Sequence, residues 1–161
     1  MCTSTRTFLT CCLLLSASLG SFAQINPSNA LNFDGSDDYV LTTAQGASGT
    51  SARTIEAWVR TTANCIPGTG GGVQQTIVDW GIFATGSRFT FNLLWANAPR
   101  IEVGGNGLSG VTAVNDGYWH HVAVVYDPTA TNQYKLYVDG ALDAQGNLTV
   151  ATNTSSGTYI Q

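Results

Sequence analysis

Charge is scarce in this sequence. Its 161 residues include six Lys and Arg and ten Asp and Glu, and only two of the acids, Glu56 and Glu102, are glutamates. The bases Arg53, Arg60, Arg88, Arg100 and Lys135 are scattered, so no basic stripe is available to neutralise a run of phosphates, which excludes nucleic acid as a partner. Long apolar runs are equally few. The longest, Phe8–Leu19, covers about a dozen residues, short of the ~20 that a membrane-crossing helix needs. Helix-period spacing of apolar residues is missing after residue 24, which argues against a helical fold. Also absent are a Gly-x-Ser-x-Gly nucleophile elbow, a phosphate-binding Gly-Lys-Ser/Thr loop and the twelve-residue EF-hand pattern.

Cysteine is unevenly spread. Three of the four cysteines, Cys2, Cys11 and Cys12, stand in the first dozen residues. Arg6, the apolar run and the small residues Ser21-Phe22-Ala23 together have the layout of a secretory signal peptide over residues 1–23, with the mature chain beginning at Gln24. The expected product is secreted, extracellular and free of the membrane after cleavage, with five basic against ten acidic residues and a formal charge of −5. Cys65 is then alone, so an internal disulfide is impossible, and "ANCIPGTGGG" supplies no base or cation to activate its thiol. An ordinary loop or strand-end cysteine is the expectation.

What remains is β-branched and aromatic runs broken by Gly, Asn and Asp. Strands are predicted over residues 31–33, 39–43, 54–61, 76–83, 88–95, 100–103, 111–114, 119–126, 134–138, 141–144, 148–151 and 158–161. Asp139-Gly140 predicts a two-residue hairpin turn, and "DPTATN" (residues 127–132) a second hairpin. So many short strands predict an all-β, two-sheet antiparallel sandwich or jelly roll in one domain, residues 24–161.

"DGYWHHVAVVYD" (residues 116–127) pairs two histidines. Alternate strand residues point to opposite faces, so His121 goes with Trp119, Ala123 and Val125, and His120 with Val122, Val124 and Tyr126. The imidazoles diverge, and one ion cannot readily be shared between them. The same alternation puts Glu56, Trp58 and Arg60 on one face, with Ile55, Ala57 and Val59 opposite. A carboxylate, an indole and a guanidinium on one surface form a candidate sugar site, the indole stacking on a ring while the charged groups take hydroxyls. The plainer reading is that Glu56 and Arg60 neutralise each other around a packing tryptophan. Trp80, Trp95 and Trp119 are expected to be core. "FDGSDDYV" (residues 33–40) clusters Asp34, Asp37 and Asp38 around a glycine, which suits either a hard cation such as calcium or carboxylates capping a turn.

Four segments in order, "ALNFDGSDDYV" (30–40), "TIEAWVR" (54–60), "GYWHHVAVVYD" (117–127) and "YKLYVDGAL" (134–142), resemble the successive signatures of laminin-G-like, concanavalin A-like jelly-roll domains of exported bacterial proteins. The resemblance implies a concanavalin A-like sandwich, a structural calcium ion with Asp37 or Asp38 as ligand, and a carbohydrate- or glycoprotein-binding module of a larger extracellular or adhesin-type protein. Its expected partners are a glycan or a cell-surface glycoprotein. Related glucanases carry E-x-D-x-x-E on one strand, which this chain lacks, so no catalytic residue is expected, although a glycoside hydrolase and a structural spacer remain alternatives. Such domains continue through a further strand and a G-x-I/L-D-E-V-R-I-Y segment where this chain ends in "SGTYIQ", which implies that the C-terminal strands are missing.

Overall fold

The computed structural model describes residues 30–66 and 74–155. The expected signal segment, the glycine-rich stretch 68–72 and the strand expected at 158–161 lie outside the described residues. The described residues form eight strands: β1 (Arg53–Val59), β2 (Gln75–Gly81), β3 (Arg88–Leu94), β4 (Ala98–Glu102), β5 (Gly107–Ser109), β6 (His120–Tyr126), β7 (Tyr134–Val138) and β8 (Ala141–Gly146). They form two antiparallel four-stranded sheets, ordered β1-β6-β7-β8 and β2-β3-β4-β5. The all-β, two-sheet jelly-roll expectation therefore holds.

Strand alternation builds the core. From the first sheet, Val122, Val124, Tyr126, Tyr134, Leu136 and Val138 point inward, with Ile55, Ala57 and Val59 packed beside them. From the second come Trp80, Phe89, Phe91, Leu93 and Ile101, with Val103 just beyond β4, in the same apolar cluster. Burial of these aromatic and branched side chains, at about 1.5–3 kcal/mol each, holds the sheets face to face. Both predicted hairpins form. Asp139 and Gly140 take φ of 50° and 80°, as the tight turn between β7 and β8 requires, and Val138 pairs with Ala141. Asp127 N–H donates to Gln133 O (2.8 Å), closing the turn between β6 and β7.

Several sequence expectations are corrected. Residues 31–33 and 39–43 form no strand, and Leu31, Phe33, Tyr39, Val40 and Leu41 stand exposed. Their pattern suits a strand, but a strand exists only where a neighbour accepts its ladder, and none runs beside them among the described residues. Residues 111–114 fail for a visible reason. Asp143 accepts the Val111 and Thr112 N–H groups (3.0 and 3.1 Å), so those donors are satisfied by a carboxylate in place of a ladder. At 148–151 the chain is likewise irregular, although Leu148 and Val150 still pack on the core. Gly107–Ser109 forms β5, which sequence reading missed because a three-residue run carries little periodic signal.

Candidate functional site

The first candidate is the outward face of the β1-β6-β7-β8 sheet. Register sets Trp58 opposite His121 and Glu56 opposite Ala123. Ala123 in turn faces Tyr137 on β7, and Tyr137 faces Leu142 on β8. Trp58 is 42% exposed, and its ring lies 5.3 Å from the His121 ring at a 58° tilt. His121 Nε2 approaches Glu56 Oε2 at 3.4 Å. The face therefore offers an exposed indole, an imidazole beside it, a carboxylate within reach and a flat floor at Ala123.

Glu56, Trp58 and Arg60 do lie on one side of their strand, but they divide into two groups. Among the described residues the imidazole of His121 is the titratable neighbour of Glu56, and no Glu56–Arg60 pair forms. Arg60 instead carries its guanidinium over the Trp119 ring, 5.5 Å from the centroid. The expected mutual neutralisation of Glu56 and Arg60 is thus replaced by two aromatic-centred pairs. His121 is the member of this face that sequence reasoning set aside; its strand parity was read correctly, but the pairing of β1 with β6 could not be known.

The histidines diverge as strand geometry requires. His120 Nδ1 bonds Asp139 Oδ2 (2.8 Å) and its Nε2 bonds Asp116 Oδ1 (3.0 Å), while Asp139 Oδ1 also accepts the His121 N–H (2.9 Å). Partial burial of the imidazole by itself lowers its pKa, but the bonds to Asp139 and Asp116 outweigh burial and hold it above the ordinary value. Asp116 is pulled below the usual carboxylate range, first by the Tyr118 N–H and then by His120. This arrangement pins the loop before β6 to the β7–β8 turn. Both ring nitrogens are occupied, so His120 is a brace.

Cys65 is buried, its thiol reaching Leu93 O at 3.2 Å, and burial raises its pKa. It is unsuited to act as a nucleophile. Trp80 is core, whereas Trp95, also expected there, is 49% exposed. Trp95 belongs to the tight β3–β4 connection, where Ala96 and Asn97 both take positive φ (59° and 58°), and that reversal swings the chain out of the sheet. Asp34, Asp37 and Asp38 bring one carboxylate oxygen each within 4.8 Å of one another, all exposed. Asp34 Oδ1 accepts the Ser36 N–H (2.8 Å) and Asp38 Oδ2 the Asp34 N–H (3.0 Å), so the turn chemistry is present and hard oxygen donors are available together.

The outward face of the other sheet holds Glu102, the second glutamate noted in the sequence, and Asp79, which the sequence did not single out. Arg88 forks onto Asp79, with Nη2 to Oδ2 at 2.9 Å, and Thr90 Oγ1 donates to Asp79 Oδ1 at 2.8 Å. Arg100 Nη1 bonds Glu102 Oε2 at 2.5 Å. Among the described strand residues, Asp79 is thus paired with Arg88 and Glu102 with Arg100, Glu56 has the His121 imidazole at 3.4 Å, and Asp143 is taken by the Val111 and Thr112 donors.

Among curated proteins no match to the chain was found. A family model described as concanavalin A-like lectin/glucanases superfamily matches residues 34–160, a span that includes all eight strands. The chain therefore belongs to the concanavalin A-like lectin/glucanase superfamily, in its laminin-G-like branch.

Proposed function

We propose that the protein is a secreted, non-catalytic module that binds carbohydrate, free or on a cell-surface glycoprotein, as part of a larger extracellular protein. The observation that carries this reading is Trp58, an indole 42% exposed on an outward sheet face with His121 and Glu56 beside it. The aliphatic face of a sugar ring stacks on an indole, and adjacent charged or polar groups take its hydroxyls. Binding is favoured over hydrolysis because glycoside cleavage needs two carboxyl groups facing each other across the bond, one of them able to hold a proton. Asp79 and Glu102 are instead each tied to an arginine, and Glu56 lies on the other sheet beside His121.

Trp58→Ala is expected to weaken retention on a polysaccharide array by about tenfold or more, since a lost aromatic stack is worth at least ~1 kcal/mol together with the area it buries. Unchanged retention of every ligand that the parent protein holds would remove Trp58 from the site. Appearance of shortened oligosaccharides during the incubation would favour the hydrolase alternative.

The Asp34–Asp38 loop is proposed to hold a structural calcium ion, with Asp37 and Asp38 among its ligands; the support is three carboxylate oxygens within 4.8 Å. Calorimetric titration with calcium should give heat and a higher melting temperature. Neither signal would leave the aspartates as turn caps only.

A further inference from the structure

The sheet face remote from Trp58 carries its own site. Across β2, β3, β4 and β5 the outward positions form two rows in register, Asp79–Thr90–Glu102–Gly107 and Thr76–Asn92–Arg100–Ser109, with Arg88 beside the first row. No apolar side chain stands in either row. A polar sheet face facing water is ordinary, but this one is packed down. Thr90 and Asn92 are 0% exposed, and the ion-paired side chains of Arg88, Asp79, Arg100 and Glu102 retain only 14–25% exposure. The missing side chain at Gly107 leaves room for the Arg100 guanidinium, since a Cβ there would fall 2.6 Å from its Nη2.

Asn92 sits in the middle of this face with a half-used amide. Its Nδ2 donates to Gln74 Oε1 (3.0 Å), while its buried Oδ1 has no hydrogen-bond partner among the described residues. An orphaned buried carbonyl costs about 1–3 kcal/mol, so a native chain keeps one only where something else supplies the missing donor. Two features fix the chemistry of that donor. The face is electrically balanced, two guanidiniums against two carboxylates, which offers no net attraction to a phosphate or to a metal cation. A primary amide also presents an N–H and a C=O side by side, the complement of two adjacent hydroxyls, one accepting and one donating.

We propose that this face is a second binding site, for a neutral polyhydroxylated ligand, with the Asn92 amide gripping a vicinal diol of a pyranose. Gln74, which accepts the Asn92 Nδ2 hydrogen bond, is the side chain the diol displaces. Arg100, whose hydrogen-bond partner among the described residues is Glu102, supplies its remaining N–H groups to neighbouring hydroxyls. Phe83, 89% exposed and 5.4 Å from the Arg88 Cζ, stands at the Arg88 end of β3 as a stacking surface for a longer ligand. The ligand class rests on the carbohydrate reading above, but the site does not involve Trp58.

The test is a titration of the ¹⁵N-labelled full chain with the methyl glycosides of mannose, galactose and glucose, carried well above millimolar concentration. The Asn92 side-chain amide and Arg100 Nε signals should shift saturably with at least one of them. Gln74→Ala, which removes the competing side chain at the sheet margin, should tighten that binding several-fold, and Asn92→Leu should abolish it. The Trp58 indole signal reports the first site separately, so either site can fail alone. Unmoved Asn92 and Arg100 signals in both the parent chain and Gln74→Ala overturn the proposal, leaving a structural water as the partner of Oδ1.

Discussion

Replacing Arg53 by Ala is expected to destabilise the fold by about 3 kcal/mol or more, the largest single effect of any charged residue among the described residues. Arg53 opens β1 and is 8% exposed. Its Nε donates to Ser51 O (2.9 Å), Nη1 to Ala47 O and Thr154 Oγ1 (2.8 Å each), and Nη2 to Gly49 O (2.8 Å). No carboxylate neutralises it among the described residues. The compensation comes from carbonyl dipoles and from aromatic faces, with Phe89, Tyr126 and Trp80 centred 4.9, 5.4 and 5.9 Å from Cζ. Burial lowers the guanidinium pKa from its ordinary value, with Tyr126 and Tyr134 opposing that shift.

Truncation takes the side-chain donor from Ser51 O and Thr154 Oγ1 and leaves Ala47 O with Trp80 Nε1 and Gly49 O with the Thr154 N–H as their remaining donors, while a buried gap opens among the three aromatic rings. Arg53→Lys should recover only part of the loss, because a compact ammonium with three donors cannot span four divergent acceptors. Urea unfolding monitored by tryptophan fluorescence measures both variants. A loss under about 1 kcal/mol for Arg53→Ala would show that the guanidinium behaves as an ordinary surface charge.

Gly81→Ala is expected to cost about 2–4 kcal/mol, from positive φ and overpacking together. Gly81 ends β2 at φ +97°, and a Cβ there would fall 2.2 Å from Ser87 O and 2.9 Å from Arg88 Cα. Both neighbours are backbone of the β2–β3 connection and cannot rotate aside. Gly140→Ala is the control: its φ is +80° but nothing lies within 4 Å of the added methyl, so only the conformational penalty of about 1 kcal/mol applies. Equal melting temperatures for the two variants would show that the contact at Gly81 relaxes without cost.

Much of the architecture was legible from side-chain alternation. Val122, Val124 and Tyr126 were placed on one face of their strand and are buried together, and the divergence of His120 from His121 followed from the same parity. The Asp139-Gly140 turn was legible because its backbone demands residues that tolerate positive φ. Residues 31–33 and 39–43 misled because alternation records a capacity to pair and says nothing of whether a partner runs alongside. Trp95 misled for a related reason: its apolar neighbours Leu93 and Leu94 are buried, but the chain reverses one residue later.

The candidate sites were less readable. Glu56 and Trp58 could be assigned to one face from spacing alone, whereas the choice of His121 over Arg60 as the partner of Glu56 is set by the antiparallel register of β1 on β6, between residues more than sixty positions apart. Asp79, Arg88, Asn92, Arg100 and Glu102 look unremarkable as isolated polar positions in three strands, and only lateral pairing gathers them. The same holds for Arg53, one of five scattered bases until the sandwich closes three aromatic rings around it.

By itself, then, the sequence determined the class of fold, the inward and outward sides of its main strands and the turns that join two pairs of them. These depend on interactions between residues near in the chain, where covalent geometry fixes which neighbours share a side. The tertiary structure alone decided which outward residues meet, which charges are buried and where an amide is left half-satisfied. Those outcomes depend on the order and register of strands in each sheet, and hydrogen bonding between backbones carries no mark of side-chain identity that could be read in advance.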